Sequence, residues 1–189
     1  MPLTLTVPNC LTFLRILAVP FFAIAVWYGR MPEACLIFAL AGLTDLLDGF
    51  IARRFNQKSD LGAVLDPAAD KLLMTTAFIL LAFPRSHYVV QIPAWVSILA
   101  ISRDVVISLV ALNSYAHFDP AKFQPSILGK LTTGVQLVAI SVALLLNALP
   151  HQAWIHAFVP WFFYLVAVMV LASGFQYFFR ATHTRPEAP

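Results

Sequence analysis

Six long apolar segments, separated by short polar or proline-containing breaks, make up most of this 189-residue chain. We place them near residues 10–29, 34–55, 65–84, 92–113, 127–149 and 154–179. A helix of about 20 apolar residues crosses the roughly 30 Å of hydrocarbon in a bilayer. Since 60% of the residues are hydrophobic and 11% are charged, a chain this short cannot shield its apolar surface from water. The sequence predicts an all-α integral membrane protein with six transmembrane helices, forming a single domain over residues 1–189.

The distribution of lysine and arginine among the breaks predicts the orientation of the chain. The second break, the fourth break and the C-terminal tail together contain Arg53, Arg54, Lys58, Lys122, Arg180 and Arg185. The first and third breaks contain only Arg30 and Arg85, and the fifth contains none. Because cytosolic loops are rich in lysine and arginine, we expect both termini to be cytosolic. We expect the protein in a bacterial cytoplasmic membrane.

Four aspartates lie at the predicted cytosolic ends of the second and third segments, where charge in or beside hydrocarbon is costly. Asp45 and Asp48 are spaced i, i+3, whereas Asp66 and Asp70 are spaced i, i+4, so each pair shares one helix face. Two antiparallel helices would bring the pairs together. Hard divalent cations prefer such carboxylates, and Mg²⁺ combines them with substrate phosphates. The spacing predicts a two-metal carboxylate site, although any one aspartate alone could be a helix cap or a surface charge.

The residues between the aspartates suit a phosphate ligand. Gly49 and Ala52 fall on the same face as the first aspartate pair and leave room for a ligand or for a close helix neighbour. Arg53 can fork onto phosphate oxygens. Gly62 can turn the connection, and Asp66 followed by proline is typical of a helix N-cap.

The whole pattern, Asp45-x2-Asp48-Gly49-x2-Ala52-Arg53-x8-Gly62-x3-Asp66-x3-Asp70, resembles without departure the signature of the CDP-alcohol phosphatidyltransferase family. The opening "VPNCLTFLRILAVP" is also similar to the beginning of that family's members, and six spans is their usual number. The resemblance implies transfer of a phosphatidyl group from CDP-diacylglycerol to an alcohol, with release of CMP. It also implies two divalent cations, Mg²⁺ or Mn²⁺, and a homodimer surrounded by membrane lipids.

The resemblance further implies a role for each residue of the signature. Asp45, Asp48 and Asp66 would hold the metals. Asp70 would complete the metal site and act as the general base that takes the proton from the acceptor hydroxyl. The CDP-lipid site would be lined by Gly49, Ala52, Arg53, Ser59 and Gly62.

Three basic residues outside the signature lie inside predicted spans or at their ends: Arg15, Arg103 and Lys130. Such charges are candidates for a functional site by default, and together they could recognise a phosphate on the acceptor. The alternative is a structural role, such as an ion pair. Arg103 and its neighbour Asp104 need not face each other on a helix.

The acceptor is the least determined part of the function. "GKLTTGVQ" resembles phosphatidylglycerophosphate synthases, which often carry a second lysine where this chain has Thr132. "QPSILGKLTTGVQL" also resembles cardiolipin synthases of the same family, whose acceptor is phosphatidylglycerol. We favour glycerol 3-phosphate as acceptor, because it is the commoner activity on this scaffold, and keep phosphatidylglycerol as the alternative.

Two other classes of protein fit the sequence less well. A cation transporter would place its carboxylates near the bilayer midplane, between repeats and broken helices. Here the aspartates cluster at one end, beside a basic break, and the sequence has no internal repeat. A catalytically inactive scaffold would not need the complete signature, and no basic run suggests nucleic acid as a partner.

Overall fold

The computed structural model describes residues 7–54, 60–85, 88–117, 126–149 and 155–183. These residues form six α-helices: α1 (Val7–Trp27), α2 (Met31–Arg54), α3 (Asp60–Ala82), α4 (Ala94–His117), α5 (Ile127–Ala148) and α6 (Ile155–His183). The prediction of an all-α chain with six helices is confirmed, and the six helices correspond to the six apolar segments.

Three of the described helices contain stretches that are long and apolar enough to cross a membrane. These stretches are Asn9–Trp27 in α1, Ile127–Ala148 in α5 and Val159–Tyr177 in α6. Large apolar side chains are exposed along the same helices, for example Phe21 in α1 and Trp161 in α6. Contiguous exposed apolar surface of this kind suits contact with lipid.

The first compact unit comprises the described residues within 1–91 and 140–152. Helix α1 packs against both α2 and α3. Phe22 and Val26 of α1 are fully buried, as is Ala69 of α3, and the rings of Phe22 and Phe38 lie 5.8 Å apart between centroids. This packing holds the C-terminal part of α2 and the N-terminal part of α3 beside the beginning of α1.

The turn from α1 to α2 depends on a glycine. Gly29 has φ 71°, a left-handed conformation that favours residues without a Cβ atom. Its N–H donates to Val26 O at 3.1 Å, and the N–H of Arg30 donates to Ala25 O at 2.8 Å. This is the Schellman pattern that closes a helix C-terminus, and it lets α2 begin two residues after Gly29.

Helix α3 begins earlier than the sequence suggested. It starts at Asp60, so Gly62 and Asp66 lie inside the helix. The interpretations of Gly62 as a turn residue and of Asp66 as an N-cap were therefore wrong. A helix satisfies its own backbone hydrogen bonds, which favours extending it in apolar surroundings even through the proline at position 67.

The connection from α3 to α4 is fixed by the side chain of Asn147, near the end of α5. Asn147 Oδ1 accepts from the N–H groups of Val89 and Val90 at 2.7 and 3.0 Å. Its Nδ2 donates to Val90 O at 2.7 Å and to Ala143 O at 2.9 Å. One amide thus satisfies three backbone groups of the connection and ties them to α5.

The second compact unit comprises the described residues within 92–139 and 153–183. Helices α4 and α6 pack together, and Val96 of α4 and Val166 of α6 are fully buried. Ser126 caps α5, since its Oγ accepts from the N–H of Gly129 at 2.9 Å. Gly129 also lies against Tyr177 of α6, whose hydroxyl oxygen would be 3.0 Å from an added Cβ atom.

Candidate functional site

Aspartates from α2 and α3 meet on one arginine of α1. Arg15 Nη1 lies 3.1 Å from Asp45 Oδ1 and 2.5 Å from Asp70 Oδ1. Because both oxygens contact the same nitrogen, the separation between them cannot exceed the sum of these two distances. The sequence predicted that α2 and α3 meet through their aspartates, and the structure shows this for Asp45 and Asp70.

A second contact from α1 reaches the other aspartate of α3. Thr12 Oγ1 donates a hydrogen bond to Asp66 Oδ1. Thr12 and Arg15 are spaced i, i+3 and so lie on one helix face. Both are buried, whereas Phe13 and Leu14 between them are exposed. The face of α1 that is turned toward the core is thus the face that holds the aspartates.

Burial is unequal across this cluster. The side chain of Arg15 is 1% exposed, whereas those of Asp45 and Asp70 are 42% and 39% exposed. A buried guanidinium depends on its carboxylate partners, because an unpaired charge in the interior is costly. The carboxylates, in contrast, keep an open side from which a ligand or a cation can approach.

The described carboxylates fit a divalent cation by their chemistry. Asp45, Asp66 and Asp70 supply the oxygen ligands that Mg²⁺ and Mn²⁺ prefer. Among the residues that the structure describes, however, no three acidic, histidine or cysteine side chains surround a common point. Arg15 lies between two of these carboxylates, those of Asp45 and Asp70. The side chain of Asp48 is not among those that the structure describes.

The predicted CDP-lipid residues are only partly described. Gly49, Ala52 and Arg53 belong to the last turns of α2, and Gly62 is the third residue of α3. Their side-chain surroundings lie outside the described part, as does the whole of Ser59. Their assignment to the CDP-lipid stays a prediction.

Arg103 in the second unit is held by three partners. Its Nη1 lies 2.7 Å from Asp104 Oδ1, so the two neighbouring side chains do form an ion pair. Its Nη2 donates to Ser173 Oγ at 2.8 Å and to Gly129 O at 3.2 Å. The side chain is 8% exposed. Arg103 therefore links α4, α5 and α6 structurally, whether or not it also binds a ligand.

The other predicted acceptor residue, Lys130, is exposed at the beginning of α5. Two positions later, Thr132 is fully buried, and its hydroxyl donates to Leu128 O at 2.8 Å and to Met169 O at 3.2 Å. Thr132 thus faces α6 and is engaged by backbone carbonyls. A buried neutral hydroxyl therefore occupies this position of α5.

A groove in the second unit runs between α4 and α6 and reaches Arg103. Its volume is about 410 Å³, and its walls are mostly apolar, with Leu99 and Val106 on one side and Val170 and Phe175 on the other. An apolar groove that ends near a buried arginine has the chemistry of a site for an acyl chain with an anionic headgroup.

Two residues were not singled out from the sequence. Thr12 could have been recognised from its spacing to Arg15 in "TFLR", which places two polar groups on one face of an apolar helix. Gln136, in the quoted segment of α5, is fully buried, and its side-chain amide has no hydrogen-bond partner among the described residues. A buried amide of this kind is rare in folded proteins, but the sequence around it carried no signal.

Comparisons with known proteins give one consistent result. The sequence model of the CDP-alcohol phosphatidyltransferase family matches residues 5–178. The chain is 34% identical over 191 residues to the human cardiolipin synthase (CMP-forming), a match that covers 92% of this chain and 60% of the human protein. The chain thus spans less than two thirds of the length of that relative.

Bacterial relatives of a different name match over nearly their whole length. The CDP-diacylglycerol–glycerol-3-phosphate 3-phosphatidyltransferase of Sodalis glossinidius is 33% identical over 187 residues, covering 95% of this chain and 96% of the relative. The protein of the same name in Salmonella typhimurium is 33% identical over 175 residues, covering 90% and 92%.

Proposed function

The chain belongs to the CDP-alcohol phosphatidyltransferase family, and from this premise we propose that it is an enzyme of phospholipid biosynthesis in the membrane. It transfers a phosphatidyl group from CDP-diacylglycerol to an alcohol and releases CMP. The observation that carries this proposal is the convergence of Asp45 and Asp70 on Arg15, which joins both halves of the aspartate signature in one place.

The reaction needs the acceptor oxygen, the phosphorus and the leaving oxygen of CMP in line, with a proton acceptor beside the acceptor oxygen. The acceptor hydroxyl attacks the β-phosphorus of the CDP-lipid, and the bond from that phosphorus to CMP breaks. Asp70 takes the hydroxyl proton, and its partial exposure leaves one side of the carboxylate open to the acceptor. Catalysis is then mostly positioning of these groups and stabilisation of charge on the phosphates.

Two Mg²⁺ or Mn²⁺ ions are part of the proposal. Asp45, Asp48 and Asp66 hold them, with Asp70 completing the set, and the carboxylate chemistry of the described members supports this. Bound there, the ions would supply positive charge to offset that of the pyrophosphate. Gly49, Ala52 and Arg53 line the CDP-lipid site together with Ser59 and Gly62.

The proposed acceptor is glycerol 3-phosphate, which gives phosphatidylglycerophosphate. The two bacterial relatives that bear the corresponding name match over at least 90% of both chains, which supports the assignment. Arg103, Lys130 and Arg15 are the proposed contacts for the acceptor phosphate.

Phosphatidylglycerol is the second candidate acceptor, and two observations favour it. The groove between α4 and α6 has apolar walls and reaches Arg103, which suits a lipid better than a small polar alcohol. Thr132 is buried and neutral, so this part of α5 lacks a second cation for a doubly charged phosphate. The chain would then be a cardiolipin synthase.

We also propose the membrane arrangement expected from the sequence. The six helices have 21 to 29 residues, which is long enough for each to cross a bilayer. Both termini and the aspartate cluster face the cytosol, in a bacterial inner membrane, and residues 1–189 act as one membrane domain. The protein is a homodimer.

An acceptor panel tests the proposal. The purified protein is given CDP-diacylglycerol and Mg²⁺ or Mn²⁺, with glycerol 3-phosphate, phosphatidylglycerol, inositol 1-phosphate or serine offered in parallel. CMP release is measured, and the lipid product is identified by mass. Product with glycerol 3-phosphate supports the first assignment, and cardiolipin supports the second. No CMP release with any acceptor contradicts the proposed reaction, and turnover in a chelator contradicts the two-metal site.

A further inference from the structure

Arg15 lies beside the place that a cation shared by two aspartates would take. Arg15 Nη1 contacts Asp45 Oδ1 at 3.1 Å and Asp70 Oδ1 at 2.5 Å. Mg²⁺ binds its oxygen ligands at about 2.1 Å. An ion bound to Asp70 Oδ1 at that distance would lie within about 4.6 Å of Arg15 Nη1, where the two positive charges repel each other.

The charges and the burial agree with this geometry. Carboxylates gathered from two helices repel one another, and a positive charge between them relieves the repulsion. Arg15 supplies that charge from inside the protein, since its side chain is 1% exposed. Both aspartates remain open to solvent on another side, so an ion from solution can reach the same oxygens.

We propose that Arg15 is the internal counter-cation of the metal-free site and that it competes with the divalent cations for Asp45 and Asp70. This inference rests on the proposed two-metal function. Arg15 then acts at the aspartate site formed by α1, α2 and α3. This role is separate from its proposed contact with an acceptor phosphate. Loading of the metal then has to overcome the repulsion from the guanidinium.

The competing explanation makes the opposite prediction. If Arg15 only orients the two carboxylates for the metal, its removal leaves them less well placed, and metal affinity falls. If Arg15 competes, its removal takes a positive charge away from both carboxylates and raises metal affinity. Measurement of metal binding without donor or acceptor separates the two explanations, because neither enzyme turnover nor substrate is involved.

The experiment compares wild type with Arg15→Gln in Mn²⁺ titrations, following free Mn²⁺ by electron paramagnetic resonance after removal of bound metal with a chelator. We expect the variant to bind Mn²⁺ about tenfold more tightly, within the usual range of coupling between two groups. The melting temperature of the metal-free variant should be lower than that of wild type. Saturating Mn²⁺ should raise the melting temperature of the variant by more than it raises the melting temperature of wild type.

Arg85→Gln is the matched control. Arg85 lies near the opposite end of α1, where its Nη1 donates to Trp27 O at 2.7 Å and its guanidinium stacks on the Trp27 ring. We expect its Mn²⁺ affinity to equal that of wild type. If Arg15→Gln does not fold, Arg15→Lys replaces it. The shorter side chain should hold the carboxylates less well and give a smaller increase in affinity.

Unchanged or weaker Mn²⁺ binding in the Arg15 variants, with normal binding in wild type, would overturn the role of Arg15 and leave the two-metal site intact. Absence of Mn²⁺ binding in wild type and variants alike would contradict the metal site itself, and the inference with it.

Discussion

Arg15 and Asp70 lie 55 positions apart in the sequence, yet Arg15 Nη1 donates to Asp70 Oδ1 at 2.5 Å. The contact makes α1 part of a site whose signature is confined to α2 and α3. It also means that the proposed general base has a positively charged neighbour before any metal or substrate is bound. Substitutions at Asp70 therefore test chemistry and structure together, and need a readout for each.

Asp70→Asn should abolish transfer while leaving binding of the CDP-lipid largely intact. The amide oxygen can still accept from Arg15, but the side chain can no longer take a proton. Loss of a general base typically lowers the rate by about 10²–10⁴-fold. CMP release gives the rate, and binding of labelled CDP-diacylglycerol gives the donor affinity.

The control for that variant is Glu33→Gln, which removes an exposed carboxylate from the first turn of α2 and should leave the rate unchanged. Activity near wild type in Asp70→Asn would remove Asp70 from the role of base.

Arg103→Ala and Lys130→Ala should each raise the KM for the acceptor more than the KM for CDP-diacylglycerol. Steady-state kinetics with each substrate varied in turn measures both values. If the acceptor KM is unchanged in both variants, these residues are structural and the acceptor phosphate is bound elsewhere.

The two variants should differ in stability. Arg103→Ala removes the ion pair with Asp104, whose side chain is 13% exposed. Breaking a buried pair from one side typically costs about 3–5 kcal/mol, so the melting temperature should fall clearly. Lys130 is exposed, and Lys130→Ala should melt close to wild type. Equal melting temperatures would show that the ion pair contributes little.

Gly129→Ala should destabilise the second unit, because the added Cβ atom would lie 3.0 Å from the Tyr177 hydroxyl and 3.1 Å from Ser126 Oγ. Overpacking of this kind typically costs about 1–3 kcal/mol. Gly134→Ala, on the same helix, is the control. Among the described residues, nothing beyond its own helix lies within 4 Å of its added Cβ atom, so replacing glycine should stabilise the helix by about 0.5–1 kcal/mol. Thermal unfolding measures both variants. We expect the melting temperature to fall for Gly129→Ala and to rise for Gly134→Ala.

Asn147→Leu should loosen the connection between α3 and α4. The substitution leaves the N–H groups of Val89 and Val90 without an acceptor, and each unsatisfied buried group costs about 1–3 kcal/mol. Arg85 in this connection is a trypsin site, so faster tryptic cleavage there measures the loosening.

Asn147→Asp keeps the accepting oxygen and loses the amide donor to Val90 O and Ala143 O. It should give a cleavage rate between wild type and Asn147→Leu. Equal protection in all three proteins would show that the connection is held by other contacts.

The six helices could be predicted because apolar length is a property of each segment alone. The shared faces of the aspartate pairs followed from helical periodicity in the same way. Pairing of Arg15 with Asp45 and Asp70 could not be predicted, since it depends on how α1 packs against two other helices. The beginning of α3 was misplaced because an Asp-Pro pair is typical of a helix start, whereas here the helix continues through it.

Arg103 shows a different limit of sequence reasoning. Adjacent residues on a helix point in different directions, so periodicity alone left its pairing with Asp104 open. The long arginine side chain nevertheless reaches its neighbour while also contacting Ser173. Such a contact depends on the chosen rotamer, which local sequence does not determine.

The hydrogen bond from Thr12 to Asp66, together with the contacts of Arg15, has a consequence for protein design. A hairpin copied from α2 and α3 would carry the full signature but would lack the two α1 side chains that contact Asp45, Asp66 and Asp70. A designer who transfers this site to another protein must therefore include α1 in its original register. The smallest fragment that carries the site consists of the three helices α1, α2 and α3.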